Sequence, residues 1–158
     1  PTEDGDFTVE KFENRYNADL AGGIGNLVAR VITMTNKIQN PKSKIQIKSK
    51  IQNPNIKKAI DGAKKNCEKT LNDFKFNEAL IVIWELISWC DKYINETKPW
   101  ETNSEEQIKK AKEVLGDLLF AINEISDLLN PFLPGTSGKI KEILHTQKSE
   151  ILFPRINK

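Results

Sequence analysis

Two short stretches hold the side chains with the most chemistry to offer: Asn26-Leu-Val-Ala-Arg30 and Lys98-Pro-Trp100. Asn26 and Arg30 are four residues apart, so on a helix they stand on one face, one turn apart. An asparagine amide offers a paired donor and acceptor, and an arginine offers a planar fork. Both suit hydrogen bonding to exposed base edges. Trp100 follows Pro99, a helix-ending residue, so its ring need not join a helical face. Unpaired bases stack on such rings, at roughly 1–3 kcal/mol per base. Each feature also has an ordinary reading: a solvated asparagine, an arginine salt-bridged to an acid on the next helix, and a tryptophan plugging the end of a bundle. On spacing alone the ordinary readings are the commoner ones.

These residues must be positioned by helices, because the apolar spacing is helical almost throughout. Thr8 is a plausible N-cap, with Glu10 in the first turn. Leu20, Ile24, Leu27, Val31 and Met34 then step by four and three along one face, giving a first helix to about Asn36. Gly22, Gly23 and Gly25 inside it cost up to about 1 kcal/mol each in helix propensity. Their return is close approach by a neighbouring helix or by a ligand backbone. A second helix reads from about Ile56 through Ile60, Ala63, Cys67 and Leu71. The third, about Asn77 to Glu96, is apolar on most sides, including Trp84 and Trp89, and belongs in the middle of a bundle. Ser104 opens the fourth, with Gln107 at the reciprocal capping position, and Pro131 and Pro134 end it. A short fifth carries Ile140, Ile143 and Leu144. The fold expected is all-α: an antiparallel bundle of four main helices plus a short fifth, residues 1–158 forming a single domain.

Within 36–55 the word Lys37-Ile-Gln-Asn-Pro41 recurs as Lys50-Ile-Gln-Asn-Pro54. Two prolines exclude one long helix here. The stretch reads as a Lys-rich, low-complexity insertion, a mobile inter-helix loop grown by duplication, rather than a phosphate-contacting arm. Positions 37–58 hold seven lysines and no acid, leaving 17 basic against 22 acidic residues elsewhere. A mildly acidic body with one cationic segment does not fit a non-specific polyanion binder, so any nucleic-acid contact should be local. Cys67 and Cys90, without a Cys-x-x-Cys partner, fit neither a metal site nor a disulfide framework. They read as buried residues of a cytoplasmic protein. No apolar run is long enough to span a membrane. A chain starting at Pro1 reads as a piece excised from something longer.

The words Phe12-Glu-Asn-Arg-Tyr-Asn-Ala-Asp-Leu20 and Gly25-Asn-Leu-Val-Ala-Arg-Val31 strongly resemble the anticodon-binding helical domain of the methionyl-tRNA synthetase family. Glu3-Asp-Gly-Asp-Phe7 and Leu152-Phe-Pro-Arg-Ile156 fit the same family, and the likeness runs over nearly the whole chain apart from the insertion. It implies that Asn26 and Arg30 read the anticodon of a methionine tRNA, and that Pro99 and Trp100 supply the ring that stacks on its first base. Arg15 and Asn17 belong to the family word and are assigned to structure. The Lys-Pro-Trp word alone is weak, since class I synthetases for other aliphatic amino acids carry similar words. The Asn-Leu-Val-Ala-Arg helix and the Leu-Phe-Pro-Arg-Ile ending tilt the choice to methionine.

Class I activation needs a His-x-Gly-His-type motif and a Lys-Met-Ser-Lys-Ser-type loop. His145 is the only histidine and Met34 the only methionine, flanked by threonines, so neither motif is present. The chain is therefore expected to catalyse nothing and to need no cofactor or metal, ATP belonging to a catalytic domain that the chain lacks. Its expected partners are the methionine tRNA anticodon loop and that catalytic domain, with the fragment itself monomeric. Two rivals stand beside this reading: the anticodon domain of a valine, isoleucine, leucine or cysteine enzyme, and a helical protein-interaction module whose first-helix glycines receive a partner helix.

Overall fold

In the computed structural model, residues 8–39, 45, 47, 51 and 53–156 are described. The Glu3–Phe7 word and most of the lysine repeat lie outside them. The first helical run begins where Thr8 Oγ1 accepts from the Lys11 amide at 3.1 Å. It comprises α1 (Val9–Arg15), a π-helical segment (Tyr16–Gly25) and α2 (Asn26–Ile38) without a break. The apolar stripe predicts a single regular helix here. The structure widens ten residues of it instead.

The cause lies in another helix. Trp84 donates its indole N–H to the Asp19 carbonyl at 3.0 Å, and its Nε1 lies 3.4 Å from where a Gly23 β-carbon would sit. A side chain inserted at a helical carbonyl ladder forces it wider. The wider turn brings the Asn17 carbonyl within 2.9 Å of a β-carbon position on Gly22, and the Leu20 carbonyl within 3.0 Å of one on Gly25. The glycines therefore admit close approach, as expected, from a neighbouring helix and from their own widened backbone.

α3 (Pro54–Asn72) starts two residues before the apolar pattern suggests: Asn53 caps it by accepting from the Asn55 amide at 2.9 Å, and Pro54 takes the first helical position. A tight turn through Phe74 (φ 57°) leads to α4 (Phe76–Thr97), which ends at Lys98 in the left-handed region. α5 (Glu105–Leu129) opens on Ser104, which accepts from the Gln107 amide at 3.2 Å. Gln107 Oε1 in turn accepts from the Asn103 amide, one residue earlier than a capping box has it. Pro134 does not merely follow α5 but opens α6 (Pro134–Thr146).

Short connections make successive helices α3, α4 and α5 antiparallel, so α4 runs parallel to the first helical run. Two cross-links fix that register: Asp19 with Trp84, and Arg30 with Asp91 and Asn95. One core joins all of them, through fully buried Ile24, Leu27, Ile56, Ile83, Ile94, Leu118 and Ile122 among others. The segment read as a mobile loop is tied down at two described points. Ile51 is buried in this core, and Ile45 packs against it while its carbonyl accepts from Gln147 Nε2 at 2.7 Å. Burial of Ile51 and packing of Ile45 anchor the connection at those two points, while Ile47 stays exposed.

Candidate nucleic-acid interface

Asn26 is the first residue of α2, directly after the π-helical segment, and is exposed. Its side chain takes part in none of the hydrogen bonds found among the described residues. Arg30, one turn on, is half-buried. Its guanidinium donates to Asp91 Oδ1 at 3.4 Å and to Asn95 Oδ1 at 3.1 Å, both on α4. The arginine thus does reach an acid on a packed helix, as the ordinary reading had it. Two contacts do not use up the five donors of a guanidinium. The contact to Asp91 is long, and the pair is partly solvated.

The Asp91 carboxyl sits above its ordinary 3.8. Burial pushes it up, and the charge and hydrogen bond of Arg30 offset only part of that rise. Neither Asp91 nor Asn95 was identifiable as an Arg30 partner from the sequence, since the parallel register of α2 and α4 is a tertiary fact.

Trp100 lies just beyond α4, in a turn closed by the Glu101 amide on the Lys98 carbonyl at 3.0 Å. It is 49% exposed, whereas its neighbour Pro99 is buried. The proline is thus anchored in the protein, where it fixes the turn, and the indole is left available. Because Arg30 meets Asn95, five residues before Trp100, the arginine and the indole share one end of the bundle, with Asn26 about 6 Å further down α2.

The chain's closing segment reinforces the helix that carries Asn26. Asn17 exchanges two hydrogen bonds with the Ile156 backbone, at 3.0 and 2.9 Å. Phe153 meets Tyr16 edge-on at 5.9 Å and lies 3.6 Å from a β-carbon position on Gly25. The exposed Arg155 guanidinium reaches Gly22, one turn before Asn26, adding a cation to that face which spacing along the chain could not have placed. Asn17 has the structural role assigned to it, and Arg15 pairs with Asp19 at 3.0 Å. Among the described residues there is no cluster of metal-ligating side chains, and no helix is long and apolar enough to cross a membrane.

Residues 53–155 match the family model described as the anticodon-binding domain of tRNA ligase. Methionine–tRNA ligase of Lactococcus lactis is 38% identical over 90% of the chain, and that of Clostridium acetobutylicum 35% over 98%. The chain spans only 22% and 27% of their respective lengths. In fold it superimposes on the free form of Mycobacterium tuberculosis methionyl-tRNA synthetase with a TM-score of 0.83. That match has 22% identity and covers 99% of this chain and 36% of the other.

Proposed function

Because the chain belongs to the anticodon-binding domain family of tRNA ligases, we propose that it docks the anticodon loop of a methionine tRNA on the surface formed by Asn26, Arg30 and Trp100. The observation that carries the proposal is the half-exposed Trp100 indole held by a buried proline at the end of the bundle that Arg30 also reaches. The indole would stack on an unpaired base, Asn26 and Arg30 would bond base edges, and lysines would add salt-sensitive phosphate contacts. The parent would be an ATP-dependent methionine–tRNA ligase of the cytoplasm. Anticodon docking here would orient the acceptor end toward a catalytic portion that alone handles ATP. The domain would be monomeric, and initiator and elongator methionine tRNAs would look alike to it. The rival interaction module loses its main support, since Trp84 and the closing segment already occupy the glycines meant for a partner helix.

The test is a binding titration at about 50 mM salt, low because phosphate-contact affinity falls steeply with salt. A methionine tRNA transcript and one with an altered first anticodon base are each titrated with the wild type and Trp100→Ala. Loss of one stacked base at roughly 1–3 kcal/mol predicts about 5- to 150-fold weaker binding by the variant. The altered transcript should weaken comparably. Equal binding in all four combinations would leave only generic phosphate contacts and sink the assignment.

A further inference from the structure

The closing segment does more than brace the first helical run. It descends along it: Phe153 lies against Gly25, Arg155 against Gly22, and Ile156 against Asn17. Arg155 is therefore set between two fixed neighbours. Phe153 meets Tyr16 edge-on at 5.9 Å, and the Ile156 backbone is held by the Asn17 side-chain amide at 3.0 and 2.9 Å. Pro154 stiffens the link between them, since its φ is fixed. The Arg155 guanidinium comes close to the run, with Nη2 3.5 Å from a β-carbon position on Gly22, because that glycine has no side chain to hold it off.

None of this fixing depends on the arginine's own charge. Arg155 is exposed, and among the described residues its guanidinium makes neither a hydrogen bond nor an ion pair. Asp19, an acid of the neighbouring turn, is taken by Arg15 at 3.0 Å. The body of the chain outside 37–58 is acidic, with 17 basic against 22 acidic residues, so an unneutralised and pre-positioned cation stands out on it. A guanidinium held this way suits a phosphate, which its planar fork can meet with two parallel bonds.

We infer that Arg155 grips the sugar–phosphate backbone of the bound RNA beyond the unpaired bases, on the anticodon stem. The identity of that RNA rests on the function proposed above; the phosphate contact does not. Gly22, Asn26 and Arg30 follow one another at four-residue steps along one side of the run. Arg155 therefore lies no more than about 12 Å below the level of Arg30, on the side away from Trp100. A stacked strand carries a phosphate every 3.4 Å or so, so this separation spans about three nucleotides. Trp100, Arg30, Asn26 and Arg155 thus follow the strand from the stacked base to the paired stem. Arg155 sets the register of the loop and reads no base.

Salt titrations separate a phosphate contact from other roles. The 158-residue chain, Arg155→Gln and Arg155→Lys are each titrated with the anticodon stem–loop of a methionine tRNA and with the same RNA altered at its first anticodon base. The salt range is about 50 to 200 mM, over which one phosphate contact contributes roughly 0.7–0.9 to the slope of log affinity against log salt. Arg155→Gln should lower the slope by that amount, so that its deficit against the wild type shrinks about threefold over the range, equally for both RNAs. Arg155→Lys should keep the slope, and neither variant should move the thermal midpoint, because the side chain is exposed. An unchanged slope in Arg155→Gln would overturn the inference. So would a loss confined to the unaltered RNA, since the arginine would then be reading a base. The function fails separately. If the wild type binds both RNAs equally and Trp100→Ala matches it, the anticodon reading falls, while a slope lowered by Arg155→Gln still establishes the phosphate contact.

Discussion

Arg30 is held by two α4 side chains of different character, and the difference sets what each contributes. Asn95 is neutral and exposed, and its bond to the guanidinium is the shorter at 3.1 Å. Asp91 carries charge into a half-buried position, and its carboxyl is raised above the ordinary 3.8 despite the arginine beside it. Burial therefore outweighs pairing for this group. The sign of the pH dependence follows. A carboxyl with a raised folded pKa costs the fold nothing below its unfolded value; the cost grows between the unfolded and the folded value and is complete above the folded one. Asp91→Asn should accordingly not lower the thermal midpoint at pH 7, and should raise it by up to a few degrees. The difference from wild type should vanish below pH 3.8. Thermal melts at pH 3.5 and 7 check this, and a clear fall in the midpoint at pH 7 would mean that the ion pair dominates after all. The types of Asn26, Arg30 and Trp100 were legible in the sequence because their chemistry is carried by residue identity. The burial of Pro99 was not, since a proline after a helix looks the same whether it faces solvent or core.

Helix starts were legible wherever a cap stands next to an apolar stripe, as at Thr8 and Ser104. The Asn53 cap was hidden because Asn53-Pro54 belongs to the repeated word, which reads as loop in both copies. The π-helical segment was hidden for a deeper reason. Its apolar residues keep the four-three spacing, and the side chain that widens it, Trp84, comes 65 residues after Asp19. A paired substitution exposes the difference between this segment and a regular helix. Gly62, in the interior of α3, has nothing within 4 Å of its β-carbon position. Gly62→Ala should stabilise by about 0.5–1 kcal/mol, the ordinary gain of alanine over glycine. Gly22→Ala places a β-carbon 2.9 Å from the Asn17 carbonyl, a backbone atom that cannot rotate away. It should destabilise instead, by about 1–3 kcal/mol, as overpacked sites do. Chemical denaturation of both variants checks the pair; stabilisation by both would mean that the segment behaves as a regular α-helix.

At the scale of the whole molecule, four main helices and a short fifth share one core, as the pattern predicted, and among the described residues there is no second cluster to unfold by itself. Helical periodicity makes such an architecture legible, because each stripe must face the others; the parallel register of α2 and α4 depends on contacts between distant residues and was not. A single core implies a single cooperative transition, and the two cysteines report on it from different helices. Cys67 on α3 and Cys90 on α4 are 1% and 0% exposed. Burial raises both thiols, and the charge of Asp91 adds to the effect at Cys90, which is pushed up to about 12. The thiolate is the reactive form, so neither should react with a disulfide reagent at pH 8 in the folded protein. Across a guanidinium titration both should become reactive in one transition. Ile122→Ala, at a fully buried position of α5, should cost about 2–5 kcal/mol and shift the exposure of both cysteines to lower denaturant together. A Cys67 that reacts well before Cys90 would show α3 leaving the bundle first, and the single core would then be two.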